Sequence, residues 1–223
     1  MTLQDDLARR RREIRAALSD AEARTLEAAL ERLRMLQIAE HAPAIGDPFP
    51  DFELEDASGT AWRSEALLAC GPLVVAFFRG GWCPYCDLAL RAMERVRTEL
   101  EALGVGLVGI VAERPEILAR TAAERDVRFP LLVDRGGRLA GLCGLRFELT
   151  PEHVRFYVEL GVDLAASQAE LGWELPIPAC FLLAPDATIV HVFADADWTR
   201  RVEPATLVAA ARGLLAEDGA ARG

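Results

Sequence analysis

The chain has 223 residues, 35 of them acidic and 25 basic, for a net charge of −10. That balance opposes binding to nucleic acid or to an anionic membrane surface, while an apolar content of 52% is ample for a folded core. Every basic residue is arginine, which excludes a lysine Schiff base or a lysine phosphate contact.

Residues 3–40 are charged and periodic. Leu3, Leu7, Ile14, Leu18 and then Leu26, Leu30 and Leu33 recur at helical spacings. Ser19 and Glu22 in "SDAE" form a capping-box pattern, so two helices are expected, 3–18 and 20–40. They make an N-terminal helical extension, 1–40, ahead of a domain at 45–217. The basic run Arg9–Arg12 is flanked by Asp5, Asp6 and Glu13 and reads as a solvated helix face. The same charges leave no apolar signal peptide. No stretch approaches the roughly 18 apolar residues of a membrane span, and a cytoplasmic location is expected. Thiols are kept reduced there, so the five cysteines are not read as a disulfide framework.

"HAPAIGDPFP" (41–50) breaks the helical pattern. A short hairpin follows around Ser58–Gly59. "PLVVAFF" (72–78) is a continuous apolar run of the kind found in strands buried on both faces. A helix is predicted over 84–103, a second buried strand over 105–111, a helix over 115–125, a strand over 129–134 and a short helix over 137–143. "EHVRFYVEL" reads as a helix and the rest of 148–175 as loop. "ACFLLA" and "TIVHVFA" form a hairpin about Pro185–Ala187, and a last helix covers 204–216. Strands alternating with helices, closed by a hairpin and a helix, imply an α/β fold with a central mixed sheet.

Cys83 and Cys86 stand where the first buried strand hands over to a helix. A helix start offers unpaired N–H groups and about half a positive charge, both of which stabilise an anion. In Cys-x-x-Cys motifs the thiol pKa falls from about 8.5 to roughly 3.5–7.5. The thiolate attacks a disulfide or a peroxide oxygen, and a second cysteine one turn away can close the disulfide. Pro84 suits the first helical turn. A structural zinc site needs a second ligand pair, whereas Cys70, Cys143 and Cys180 are isolated and His41, His153 and His191 form no paired motif. No metal and no cofactor are expected.

"FFRGGWCPYC" resembles the peroxiredoxin-like branch of the alkyl hydroperoxide reductase / thiol-specific antioxidant (AhpC/TSA) family, which has the thioredoxin fold. "IGDPFPDFEL" resembles its opening strand, "FPLLVDRGGRLAGLCGL" its Asp-turn-helix segment, and "LPIPACFLLAPDATIVHVFADADWTRRVEP" its closing hairpin. Together they cover about 45–215. The resemblance implies a thiol-dependent peroxidase, with Cys86 aligned to the family's peroxidatic cysteine. That alignment also puts Arg79 at the family's active-site proline, Cys83 at its threonine or serine and Pro178 at its late arginine. On this reading the groups that polarise the peroxide are missing. Trp82 before the pair and Ile177-Pro178 before a strand resemble thioredoxin instead, which implies a cis Pro178 that presents the Ile177 backbone to a substrate.

Position within the helix favours the opposite sulfur. Cys83 is nearer the open end and Cys86 nearer the core, so Cys83 is expected to attack and Cys86 to resolve. Arg79 would favour the thiolate, and Tyr85 would shape the approach to the pair. Cys143 and Cys180 read as core, Cys70 carries no role, and "DADWTRR" (195–201) reads as a surface loop. The substrate is then a peroxide, or a disulfide if the chain works as a thioredoxin- or glutaredoxin-type reductase. A thioredoxin-like or other dithiol protein would be the reductant. A third reading is a non-catalytic redox sensor that forms a homodimer through residues 3–40.

Overall fold

The computed structural model describes residues 2–221. The chain opens on helices α1 (Leu3–Ala17) and α2 (Asp20–Met35). Each starts in a reciprocal capping box, Thr2 with Asp5 and Ser19 with Glu22, which satisfies N–H groups that would otherwise lack partners. The second helix stops short of the predicted residue 40. Gln37 turns left-handed at φ 49°, and Ile38–His41 continue as a single 3-10 turn.

The hairpin β1 (Glu53–Asp56) and β2 (Ala61–Arg63) leads through α3 (Ser64–Leu68) into β3 (Leu73–Phe78), all six of whose residues are buried. Then come α4 (Pro84–Ala102), β4 (Gly106–Val111), α5 (Pro115–Glu124), β5 (Leu131–Val133) and α6 (Arg138–Leu142). The stretch 148–175 is richer than the loop expected of it. It holds the predicted helix as α7 (Pro151–Glu159), then α8 (Leu164–Ser167), and the start of β7 (Glu174–Pro176), which pairs with β6 (Arg146–Glu148) in a two-stranded ribbon. The hairpin β8 (Ala179–Leu183) and β9 (Ile189–Ala194) and the helix α9 (Pro204–Ala221) end the chain.

Seven strands form one mixed sheet in the order β2-β1-β5-β4-β3-β8-β9. Strands β3, β4 and β5 run parallel at its centre, while β1 and β8 join antiparallel on either side. Helix α4 packs against β4, α9 and α1, and α2 packs against α7. The apolar residues Leu3, Leu7, Leu30 and Leu33 of the first two helices are buried in the same core as Phe77, Phe78 and Phe181. Each such side chain contributes about 1.5–3 kcal/mol. The C-terminal end of the central strand β3 therefore delivers the chain straight to Cys83, in the middle of the sheet.

Candidate active site

Between β3 and α4 the chain runs Arg79-Gly80-Gly81-Trp82-Cys83. Gly80 has φ +142°, and a Cβ there would stand 2.5 Å from the Trp82 indole nitrogen and 2.9 Å from a Glu113 carboxylate oxygen. A Cβ on Gly81 would collide with Thr121. The two glycines let the backbone pass close under these side chains. Arg125 holds the Gly81 carbonyl (2.7 Å), and Glu113 accepts from the Gly81 N–H (3.0 Å). Cys83 is the N-cap of α4, Pro84 sits in its first turn and Cys86 lies one turn on.

Both sulfurs are free thiols and both are covered, Cys83 at 1% and Cys86 at 0% exposure. The expectation that Cys83 is the open one and therefore the attacker loses its premise. The electrostatics separate the two sulfurs in the other direction. Cys86 Sγ accepts from the Arg79 backbone N–H at 3.3 Å and from Arg201 Nη2 at 3.1 Å. Burial alone would raise the Cys86 pKa. The Cys83 hydrogen bond, the Arg201 charge, the Arg79 N–H and the Arg79 charge outweigh it and hold Cys86 well below the ordinary thiol value. Cys83 is pushed up, by burial first, then by its hydrogen bond to Cys86 and by the Cys86 charge.

Arg79 is 2% exposed. Its guanidinium lies between Trp82 and Trp198, 5.1 and 5.2 Å from the ring centres, and Nη2 donates to the Tyr157 hydroxyl at 2.7 Å. Trp82 meets Tyr157 edge-on, and His153 stacks on Tyr157. Arg201 Nη1 donates to the carbonyls of Trp198 (2.7 Å) and Arg200 (2.6 Å), which aims Nη2 at the sulfur. The site therefore draws on β3, α4, α7 and the 195–203 loop.

Arg201 corrects two expectations. The segment 195–201 is not a mere surface loop, since Arg201 is 6% exposed and bonds to Cys86. Nor does the sulfur lack a side-chain arginine beside it; the guanidinium comes from Arg201 rather than from the position of Pro178. Pro178 itself departs from expectation, because among the described residues every peptide bond is trans. The Ile177 N–H donates to the Leu145 carbonyl (2.9 Å) and the Pro178 carbonyl accepts from Asp195 N–H (3.2 Å), so the extended chain is held on both sides as it enters β8. The Ile177 N–H is therefore taken and is not free for a substrate strand. Of the expected residues, Cys83, Cys86, Arg79 and Trp82 share one cluster. Tyr85 is 6% exposed and lines a cavity of about 270 Å³ with Ile14, Leu18, Leu26, Leu30 and Trp198. Burial and then the Cys83 charge push its phenol up to about 12. Cys143 and Cys180 are buried and Cys70 is exposed.

Arg201, Tyr157, Trp198 and Glu113 were not singled out from the sequence. The signal for Arg201 was the segment "DADWTRR", which carries charge next to a tryptophan. Glu113 was marked by a carboxylate at the end of an otherwise apolar strand. Glu113 is 1% exposed and its Oε2 has no hydrogen-bond partner. Burial first, and then the Cys86 charge, raise it to about 7 against the pull of the Gly81 N–H and Arg125.

A Mycobacterium tuberculosis protein named as a peroxiredoxin is 32% identical over 101 residues, 45% of this chain and 66% of that protein. ResA of Halalkalibacterium halodurans, named a thiol-disulfide oxidoreductase, is 28% identical over 102 residues, 45% of this chain and 57% of that protein. The chain thus spans a little under two thirds of the length of these curated relatives. The crystal structure of the peroxidoxin BcpB from Mycobacterium tuberculosis matches with a TM-score of 0.58 at 24% identity, over 76% of this chain and 96% of that one. That likeness identifies the fold as thioredoxin-like. The model of the AhpC/TSA family matches residues 45–192. With a match over well more than half its length, around a cysteine pair at a helix start, the chain belongs to the AhpC/TSA family.

Proposed function

We propose that the chain is a thiol-dependent peroxidase in which Cys86 attacks and Cys83 resolves. One observation carries this reading. A single buried sulfur receives both a backbone N–H at 3.3 Å and a guanidinium at 3.1 Å, with a second thiol one helical turn before it. Charge-assisted bonds of this kind favour the anion, and the thiolate is the nucleophile. The Cys86 thiolate takes the distal oxygen of a hydroperoxide. The O–O bond breaks and the leaving alkoxide, protonated by water, departs as an alcohol. Cys86 is now a sulfenic acid. The Cys83 sulfur attacks the Cys86 sulfur, the S–O bond breaks, and the hydroxyl leaves with the Cys83 proton as water. A thioredoxin-like dithiol protein in the cytoplasm restores the pair by exchange through a mixed disulfide.

Sulfurs with 0–1% exposure suit a small peroxide better than a strand of a folded protein. Regeneration by a protein dithiol then needs the first turn of α4 to open locally. The second reading, a protein-disulfide reductase, is favoured by the likeness to ResA and by the Cys-Pro-Tyr-Cys sequence itself. The third reading, a redox sensor that pairs through the helices of residues 3–40, is supported by the exposure of Met35 and Leu36 at the end of α2; a monomer mass in light scattering rejects it.

The test is mass spectrometry of peroxide-treated wild type, Cys83→Ser and Cys86→Ser, with peroxide consumption followed alongside insulin-disulfide reduction. Wild type should form the 83–86 disulfide, Cys83→Ser should accumulate a sulfenic acid on Cys86, and Cys86→Ser should be inert. A sulfenic acid on Cys83 in Cys86→Ser reverses the roles. A peroxide rate no better than that of a free thiolate of equal pKa removes the peroxidase reading.

A further inference from the structure

Arg201 sits on neither a helix nor a strand. It lies in residues 195–203, between β9 and α9. The loop touches the sheet where Asp195 N–H meets the Pro178 carbonyl. It also folds on itself: Asp197 N–H donates to Asp195 Oδ1 (2.8 Å), and Asp197 Oδ1 accepts from the Thr199 N–H (3.0 Å) and hydroxyl (2.6 Å). With Arg201 Nη1 on the carbonyls of residues 198 and 200, the guanidinium goes where this loop goes.

The outer face of the same loop is bonded to the first helix. The Glu203 carboxylate accepts from the N–H groups of Leu3 (3.3 Å) and Gln4 (3.2 Å). Both belong to the open, positive end of α1, where a carboxylate is favoured. Gln4 Nε2 donates to the Arg201 carbonyl at 2.7 Å. Arg11 Nη1 stands 3.4 Å from Asp197 Oδ2, and Arg34 of α2 stands 3.9 Å from the same oxygen. Asp197 is 3% exposed, so these cations meet a carboxylate with little water around it. The helix itself buries only Leu3 and Leu7. Its attachment here is largely a set of polar bonds to the segment that carries Arg201. Both α1 and Arg201 lie outside the family match at 45–192, one on either side of it.

We propose that α1 is a positioning element of the redox site: through Gln4, Glu203 and the Arg11–Asp197 pair, it holds the 195–203 loop in the placement that puts the Arg201 guanidinium on the Cys86 sulfur. Gln4 and Glu203 act through Arg201 and touch neither sulfur. The inference deepens the assignment of Cys86 as the attacking thiolate and gives the first helix control over that thiolate. An undocked α1 leaves Cys86 with the Cys83 thiol and the Arg79 N–H as its donors and without the Arg201 guanidinium.

The test uses the full chain in a Cys83→Ser background and reads Cys86 thiolate formation from absorbance at 240 nm across pH, against Cys83→Ser/Cys86→Ser as the blank. Gln4→Ala and Glu203→Gln, made singly, should each raise the midpoint by roughly half a unit to one unit, a fraction of the loss of a full charge-assisted bond. Added to Arg201→Ala, neither should shift it further, since coupled residues are not additive. An unchanged midpoint in both single variants overturns the proposal, and so does an equal shift with and without Arg201. The readout involves no peroxide, so a protein that fails to turn over peroxide would still answer this question.

Discussion

The two segments that meet at Cys86 are built in opposite ways. Residues 79–86 are fixed by backbone geometry: a buried strand, two glycines passing under Trp82 and Thr121, and a helix start with Pro84 in its first turn. Residues 195–203 have no ladder of their own and are held by side-chain bonds, many of them to α1. The first segment decides where the sulfur is. The second brings a charge to it from 115 residues away. Position in this site is a local property of the chain, whereas acidity combines local donors, Cys83 and Arg79, with one long-range charge from Arg201.

The comparison breaks most directly at the two arginines. Arg201→Ala removes a charge-assisted bond worth about 1.5–3 kcal/mol, so the Cys86 midpoint should rise by about 1–2 pH units in a 240 nm titration. Arg79→Ala should shift it less, because the bond Arg79 gives to Cys86 comes from its backbone N–H and survives truncation of the side chain. Equal shifts in the two variants would mean that the Arg79 guanidinium, and not its backbone, governs the sulfur. The same thiolate stabilises the fold. A thiol whose folded pKa is depressed contributes stability that is present above its unfolded value and lost as pH falls through its folded value. Arg201→Ala should weaken that acid-side loss as well.

This contrast also explains what could be read from the sequence. The apolar run into Cys83 and the Pro at the helix start are patterns of adjacent residues, and they placed β3, α4 and the cysteine pair. The burial of Cys83 was not legible, because its cover comes from tertiary packing. Arg201 escaped for the same reason. No pattern of adjacent residues shows that its guanidinium turns inward; the carbonyls of residues 198 and 200 hold Nη1, and Gln4 holds the Arg201 backbone carbonyl from 197 residues away. Pro178 misled in the other direction. The motif suggested a cis bond, but the bond is trans, and the chain on either side of it is bonded to Leu145 and Asp195.

A smaller effect is expected one step back from the sulfur. Tyr157→Phe deletes the hydroxyl that accepts from Arg79 Nη2 and leaves a buried guanidinium N–H without that partner. Such a loss costs about 1.5–3 kcal/mol of stability, visible as a lower urea midpoint. The Cys86 titration should move far less than in Arg201→Ala. A Tyr157→Phe midpoint shift as large as that of Arg201→Ala would show that the aromatic cluster, and not the loop, sets the acidity of the sulfur.

Glu113 gives the smallest effect and the finest test. Its folded value of about 7 lies above its ordinary 4.5, so the native state keeps a proton that the unfolded chain has lost. The stability it contributes is complete below about 4.5 and is lost as pH rises to about 7. The full interval corresponds to at most about 3 kcal/mol. Relaxation of the protein around the buried charge reduces the effective figure to roughly 1–2 kcal/mol. His153, pushed down to about 4 by burial and then by Arg79, has the opposite sign and loses stability as pH falls through the same range. The wild-type profile alone therefore conceals both groups. The difference between wild type and Glu113→Gln isolates the carboxyl: it should decline from pH 4.5 to 7 and then flatten. In a Cys86→Ser background the decline should end at a lower pH, because the thiolate charge that helps raise Glu113 is gone. An unchanged endpoint would mean that burial alone holds the proton on Glu113 and that the two acids of the site titrate independently.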